Sequence, residues 1–482
     1  MTSTDEIEFS VLLPLQEARA TGDECVEAWV GAQTFPRQRY EVVFLAPGVD
    51  GGLERRVRAR LGLYDRWVEH PMRNEYELFN VGAKHARGRF LIFTEAHCVP
   101  DPECLAAMHD YLRATGQVGA RGRTIGEAAN PLGVLEHTVY DEGLRIGEEL
   151  GHWDKVLIHS LAIRSDVFHE VGGFEPGYGD FSPQALSIAL WQRGYRLGFT
   201  PASAVRHTYT GELGILVQHL RDYGRGEMAF RAQEGATVAA RYLEEAWEWT
   251  DRWAHTRSGA RAGLRAAAAS PRLELGWLRV VLGYAAMRAL GPRARLWMSV
   301  LRLGLARLGV KLNRAPARRL RRYRLLWDTA AQHGRIEWLA AHPPADPPPL
   351  PNRLTYDLTT ADAPHLIGFG IREHWEGRPF RWSGPVGLIA VSLPPGANLE
   401  ARLATLPIRP SDPPLDLRIA VDGVLIPPDS YRIEPEAVFF RVLGAGAQWL
   451  SFACASLRPR RRGPGDSRHL GLPVRTLEFR PA

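Results

Sequence analysis

The sequence is poor in cysteine. Its four residues, Cys25, Cys98, Cys104 and Cys454, form no C-x-x-C pair and no framework spacing. That excludes a disulfide scaffold and predicts reduced, cytosolic thiols. No uncharged apolar run reaches the roughly 18 to 20 residues needed to cross a bilayer. The opening MTSTDEIEFSVLLPLQ lacks a basic leader followed by an apolar core, so no secretory signal is expected. Internal repeats are also missing. These absences together predict a cytoplasmic globular protein. What is present agrees: 45% of the 482 residues are hydrophobic and 24% charged, the proportions of a soluble fold. A mass of 53.8 kDa calls for two or three domains.

Net charge is only +6, but it is unevenly spread. Residues 272–324 hold thirteen Arg, one Lys and a single acid, Glu274, for a net charge of +13, which leaves about −7 for the rest of the chain. Such asymmetry points to an anionic partner surface. Trp297, Leu301, Leu305, Leu308 and Leu312 fall on one helical stripe, with Arg293, Arg307 and Lys311 grouped on another side. Aromatics set among leucines suit burial better than base stacking. An amphipathic helix lying on anionic lipid accommodates both the stripe and the long arginine stems. The partner expected for 272–324 is therefore an anionic membrane surface, and no nucleic acid is expected.

Along the first 120 residues strand and helix signals alternate. The runs EFSVLLPL (8–15), YEVVFLA (40–46), RWVEH (66–70) and GRFLIFT (88–94) read as strands. Between them CVEAWVGAQ (25–33), GLERRVRARL (52–61) and YELFNVGAKHA (76–86) read as helices. Alternation of this kind predicts a mostly parallel sheet covered by helices, with ligands bound beyond the carboxyl ends of the strands. From about 210 to 340 strand signals largely vanish. The proline-rich AHPPADPPPLP (341–351) then makes a stiff spacer. Beyond it GLIAVSL, DLRIAVDGVLI, AVFFRVL and QWLSFACASL are short strand-like runs, with Asp422-Gly423 as a two-residue hairpin signal. Residues 352–482 thus predict an all-β sandwich. The expected division is 1–235, 236–340, the linker 341–351, and 352–482.

FTEAHCVP, Phe93 to Pro100, stands where an apolar strand runs out. Glu95 and His97 are either a surface pair at a loop start or ligands for a divalent ion, since carboxylate and imidazole both bind Mn²⁺. On extended backbone, residues i and i+2 point to the same side and can reach one ion.

Several segments in order resemble family 2 glycosyltransferases of GT-A fold. SVLLPLQEA is similar to the family's opening strand and P-x-x-N-E turn, with Gln16 in the Asn position and Glu17 retained. AWVGAQTFPRQRYEVVFL is similar to the following helix, Q-x-x-P turn and second strand. NVGAKHARGRFLIFTEAH is similar to the segment that runs into the Asp-x-Asp metal motif, with Glu95 and His97 in the two Asp positions. VGGF (171–174), RGYRL (193–197) and AVRHTYTG (204–211) resemble the acceptor-side blocks. The resemblance covers about 1–235. It implies an α/β GT-A domain, Rossmann-like with a mostly parallel sheet, followed here by the basic α-helical region and the all-β sandwich.

The implied activity is inverting transfer of a sugar from a nucleotide-sugar donor to a glycan or lipid-linked acceptor in cell-envelope polysaccharide synthesis. Mn²⁺ or Mg²⁺ would be held by Glu95, His97 and His207. Donor contacts are implied at Pro14, Glu17, Asp50, Lys84 and Glu95. The second strand ends Ala46-Pro47-Gly48 rather than in an acidic pair. Asp50 either takes that role or is a solvated loop carboxylate, and Lys84 and Arg87 either face a diphosphate or are solvated charge. Ser182-Pro183 stands where the family carries its Glu-Asp catalytic pair. Asp180 is the nearest carboxylate able to act as base, with a helix-capping role as the other reading. Without a working base the chain would instead be a catalytically inactive glycan or nucleotide-sugar scaffold. Residues 352–482 loosely resemble β-modules of sugar-active proteins, and Trp375 or Trp382 either stacks on a sugar ring or fills the core.

Overall fold

A computed structural model describes residues 6–16, 18–19, 21–48, 52–71, 74–128, 130–150, 158–243, 246, 252–268, 293–313, 315–343, 350–360, 365–407, 417–454 and 471–482. Glu17, Asp50, the segment Trp153-Asp154-Lys155 that by the resemblance precedes the donor-pocket block, and the first part of the basic segment, 272–292, lie outside the described residues. The chain divides into two compact units, Met1–Ala229 with Leu303–Gly334, and Phe230–Arg302 with Arg335–Ala482.

In the first unit the expected alternation is present. It runs β1 (Phe9–Pro14), α1 (Gly22–Val30), β2 (Tyr40–Ala46), α2 (Gly52–Arg58), β3 (Arg66–Glu69), α3 (Glu75–His85) and β4 (Phe90–Phe93). Next come β5 (Cys98–Pro100), α4 (Cys104–Thr115), β6 (Gly119–Glu127), α5 (Pro131–Leu150), β7 (Leu161–Arg164), α6 (Ser165–Glu170), α7 (Ser182–Gln192), β8 (Gly198–Thr208) and α8 (Leu213–Tyr242). The described residues give an eight-stranded sheet in the order β3-β2-β1-β4-β7-β6-β8-β5. Strands β3, β2, β1 and β4 are mutually parallel. β7 runs antiparallel to β4 and β6, β8 pairs parallel with β6, and β5 pairs antiparallel with β8. Parallel pairings outnumber antiparallel ones, as the expected mostly parallel sheet requires, and a parallel half is continued by reversed strands.

Burial explains the apolar runs. Every residue of β1 and β2 is buried, as parallel strands covered on both faces require. Successive side chains alternate between faces. Val11, Leu13, Val42 and Phe44 pack with Trp29 of α1, while Leu12, Val43 and Leu45 pack with Leu78 and Phe79 of α3. Phe93, the last residue of β4, meets Phe79, Phe168 and Phe174 at ring separations of 5.4, 4.9 and 5.2 Å. Such pairs add roughly 0.5–1.5 kcal/mol each beyond burial, so the strand end that leads into Glu95 is firmly anchored.

Two polar residues interrupt the apolar strands, and they satisfy each other. Ser10 Oγ donates to Glu41 Oε1 at 2.6 Å, and the Arg87 backbone N–H donates to the same oxygen at 2.6 Å. Arg87 Nη2 and Arg66 Nε stand 2.7 and 3.1 Å from Glu41 Oε2. This arrangement answers the cost of a buried carboxylate, and it ties Arg87 to β2. Gly88 closes the group by donating its N–H to Ser10 Oγ at 2.7 Å. A Cβ there would sit 2.4 Å from Ser10 N, a backbone atom. Gly88→Ala is accordingly expected to destabilise the protein by about 1–3 kcal/mol, as overpacking does, read as a lowered denaturant midpoint; an unchanged midpoint would contradict this packing.

The helical part of this unit is built on Leu213, Leu216, Val217 and Leu220 of α8, which pack with Leu303, Ala306, Val310, Tyr323, Leu326 and Ala330. The helix Arg293–Leu312 therefore turns a slender Leu303, Ala306, Val310 stripe inward. The larger stripe seen in the sequence faces out: Trp297, Leu301, Leu305, Leu308 and Leu312 are each about half to two-thirds exposed. Among the described residues no helix is long and apolar enough to cross a membrane.

In the second unit the antiparallel strands follow the short runs of the sequence, centred on the long strand Arg378–Leu393, which pairs with Gly446–Ala453. Their inner faces bury Ile389, Val391, Leu403, Ile419, Phe440, Phe452 and Leu477 in one core. Asp422-Gly423 is the expected hairpin turn: Val421 pairs with Val424, and both turn residues have positive φ, 50° and 86°.

Candidate metal and donor site

The site begins where β4 ends. The backbone from Glu95 to Cys98 is not the extended segment anticipated from the sequence. It is a turn closed by the Cys98 N–H donating to the Glu95 carbonyl at 2.9 Å, which brings residues three apart together. β5 then pairs with β8 so that Cys98 lies opposite His207. Sheet pairing thus joins two stretches of chain more than a hundred residues apart, and the ligating atoms of Glu95, His97, Cys98 and His207 all lie within 4.8 Å of one another. Glu95, His97 and His207, named from the sequence, converge.

Glu95 Oε2 is the hub. It stands 3.5 Å from His97 Nε2, 3.4 Å from His159 Nε2 and 3.7 Å from Cys98 Sγ. His159 arrives from the segment before β7 and is fixed by its neighbours: its Nδ1 is 3.2 Å from Thr124 Oγ1 on β6, and its carbonyl accepts from Thr94 Oγ1 at 2.9 Å. Its ring stacks on His207 at 4.2 Å, and His97 meets His207 edge-on at 4.9 Å. All three imidazoles are buried, and among the described residues His207 Nδ1 has no hydrogen-bond partner.

Burial dominates the electrostatics. It pushes His159 down to about 3, with the Arg19 charge adding to the shift. Burial likewise holds His207 well below the usual imidazole range, helped by His159, His97 and Arg19. Neutral imidazoles packed about one carboxylate are the state in which a cation can be ligated. The guanidinium of Arg19 reaches this region, donating to the Thr208 carbonyl. The Tyr76 phenol is pushed well up, first by burial and then by the charges of Glu75, Asp180 and Glu95.

Asp180 lies in the short helix Pro176–Phe181 and is partly exposed, with Oδ2 2.9 Å from His219 Nδ1 on α8. Ser182 begins α7 and donates its hydroxyl to the Glu175 carbonyl. Pro14 is buried at the end of β1, and Lys84 is exposed on α3. Glu136 on α5 carries no signal in the sequence; burial raises its carboxyl, which accepts from the Gly211 N–H at 3.2 Å. His159, which by the resemblance precedes the block lining the donor pocket and otherwise reads as packing or surface, joins the cluster, as do Cys98, read only as a reduced thiol, and Arg19, which the sequence does not single out.

No family model matches the chain. Over 179 residues it is 27% identical to glycosyltransferase AglE of Haloferax volcanii, an alignment covering 36% of this chain and 58% of that protein, so the chain spans a little over half of the relative's length. Two solved structures are also similar. One is the mannosyltransferase PcManGT of Pyrobaculum calidifontis with GDP-Man and Mn²⁺, at 19% identity and a TM-score of 0.40, covering 67% of this chain and 88% of that one. The other is S. aureus TarS 1-349 with UDP-GlcNAc, at 11% identity and a TM-score of 0.37, covering 78% and 96%.

An orphaned imidazole nitrogen in a dry cluster costs about 1–3 kcal/mol, so His207 is held against stability. His207→Phe is expected to leave the melting temperature of the chelator-treated protein unchanged or raised; a fall of many degrees would show that the imidazole is structural. The N-terminal part is thus a mixed, helix-covered α/β sheet with sequence similarity to a known glycosyltransferase, and an antiparallel β region follows it.

Proposed function

We propose that the chain is an inverting glycosyltransferase that moves a sugar from a nucleotide-sugar donor to a glycan or lipid-linked acceptor of the cell envelope. The observation that carries this reading is the meeting of Glu95, His97 and His207 just past the carboxyl end of β4, where parallel half-sheets bind their ligands. The donor set of one carboxylate and two buried imidazoles, with His207 Nδ1 unpartnered among the described residues, fits a divalent cation; Mn²⁺ and Mg²⁺ are the ions the resemblance implies. Such an ion supplies charge neutralisation for a departing diphosphate. The chain's own residues do the rest. His159, fixed by Thr124, orients the Glu95 carboxylate. Asp180, hydrogen-bonded to His219, takes the proton of the acceptor hydroxyl as that oxygen bonds to the anomeric carbon and the nucleoside diphosphate leaves.

Donor turnover across a panel of nucleotide sugars with Mn²⁺ tests the reading. Glu95→Ala and Asp180→Asn are each expected to lower turnover by about 10²–10⁴-fold. Binding of a nucleotide sugar with no turnover by the unaltered protein would favour the scaffold reading instead, which Ser182-Pro183 motivates.

The same proposal puts the enzyme on the inner face of an anionic membrane. In support, the outward stripe of Trp297, Leu301, Leu305, Leu308 and Leu312 is accompanied by exposed Arg293, Arg302 and Lys311, apolar area and positive charge on one helix. Sedimentation with anionic vesicles should be salt-sensitive and be lost in a Leu301→Asp/Leu305→Asp double variant. Salt-sensitive binding to random DNA without binding to vesicles would contradict this. In the β region Trp375, 44% exposed, is the residue read as stacking on glycan.

A further inference from the structure

We propose that Cys98 is a ligand of the same cation site and that its thiolate makes the site select a zinc-class ion over Mn²⁺ or Mg²⁺. This rests on the reading of Glu95, His97 and His207 as a cation site and narrows which cation it takes.

Three observations carry it. The first is spacing. Metal–ligand lengths of about 2.0–2.3 Å in a tetrahedron put oxygen and nitrogen about 3.4 Å apart and oxygen and sulfur about 3.6 Å apart. Glu95 Oε2 stands 3.5 Å from His97 Nε2 and 3.7 Å from Cys98 Sγ, without any rearrangement. The second is placement. The closed turn sets Cys98 beside Glu95, the β5–β8 register sets it opposite His207, and the thiol is fully buried. His207, more than nine-tenths buried, belongs to this group, and its Nδ1 has no hydrogen-bond partner among the described residues.

The third is charge. Two neutral imidazoles and one carboxylate leave a divalent ion with one uncompensated positive charge in a dry site, which is costly. A thiolate brings the set to neutrality, the Cys98 proton leaving to solvent as the metal–sulfur bond forms. Thiolate is a soft ligand: it suits zinc, cobalt and iron and suits the hard Mg²⁺ and Mn²⁺ poorly. Zinc also accepts a fifth ligand, so a four-residue set does not close the site to a phosphate oxygen. Cys25 is a nearby thiol of a different kind. Its Sγ donates to the Cys98 carbonyl at 3.2 Å and to the Glu95 carbonyl at 3.6 Å, so it braces the turn rather than joining the ligands.

The test uses the full chain, stripped with chelator and titrated separately with Co²⁺, followed by absorption, and Mn²⁺, followed by electron paramagnetic resonance. Co²⁺ is expected to raise a near-ultraviolet thiolate-to-metal band that Zn²⁺ abolishes at stoichiometric amounts and excess Mn²⁺ does not. Cys98→Ser should lose the band, and Cys25→Ser should keep it. X-ray absorption of the zinc-loaded, unaltered protein should show a sulfur neighbour at about 2.3 Å, a readout independent of how the variants fold. If Co²⁺ and Mn²⁺ bind with no thiolate band, or if the band survives in Cys98→Ser, the sulfur assignment is wrong while the cation site stands. If neither ion binds, the cation site itself is wrong.

Discussion

The antiparallel pairing of β5 with β8 is the contact on which the candidate chemistry depends. Cys98 and His207 face each other across it, and Thr208 N donates to the His97 carbonyl at 3.2 Å. Backbone hydrogen bonds, rather than side-chain attraction, thus hold two distant segments in one register. A slip of one residue would turn every side chain to the opposite face and scatter the imidazoles. The cluster needs this rigidity, because bringing three histidines together gains nothing for stability: burial keeps His159 and His207 neutral, and His207 Nδ1 has no partner among the described residues. Residues held at such a cost are expected where function rather than folding sets the requirement.

The rest of the first unit supports that pairing from below. The aromatic group around Phe93 fixes the end of β4, and the Ser10–Glu41–Arg87 network locks β1, β2 and the entry to β4 together. The turn at Glu95 therefore starts from a fixed point. Thr94 and Thr124 then hold His159, so that the carboxylate has a partner on each side.

How much of this is legible in the sequence follows from the range of the interactions. The strands β1, β2 and β4 are readable because a buried parallel strand is a continuous apolar run, and the Asp422-Gly423 hairpin because its backbone geometry selects those residues. Glu95 and His97 carry a local signal, a carboxylate and an imidazole where an apolar strand runs out, whereas His207 is found only through motif resemblance. Cys98 escapes a reading of the segment as extended, because a closed turn brings i and i+3 together as well as i and i+2. His159 and Arg19 reach the cluster through sheet order and loop path, and no periodicity encodes either. The stripe on Arg293–Leu312 is visible as a pattern, but which side it faces depends on the helices packed against Leu303, Ala306 and Val310.

The most direct measurement is an anomalous-scattering experiment on crystals soaked with Mn²⁺ or Zn²⁺ and a nucleoside diphosphate. The expected result is one strong peak within about 2.0–2.3 Å of ligand atoms from Glu95, His97 and His207, with the diphosphate against it. A diphosphate bound elsewhere, or a metal peak away from these three residues, would contradict the central claim.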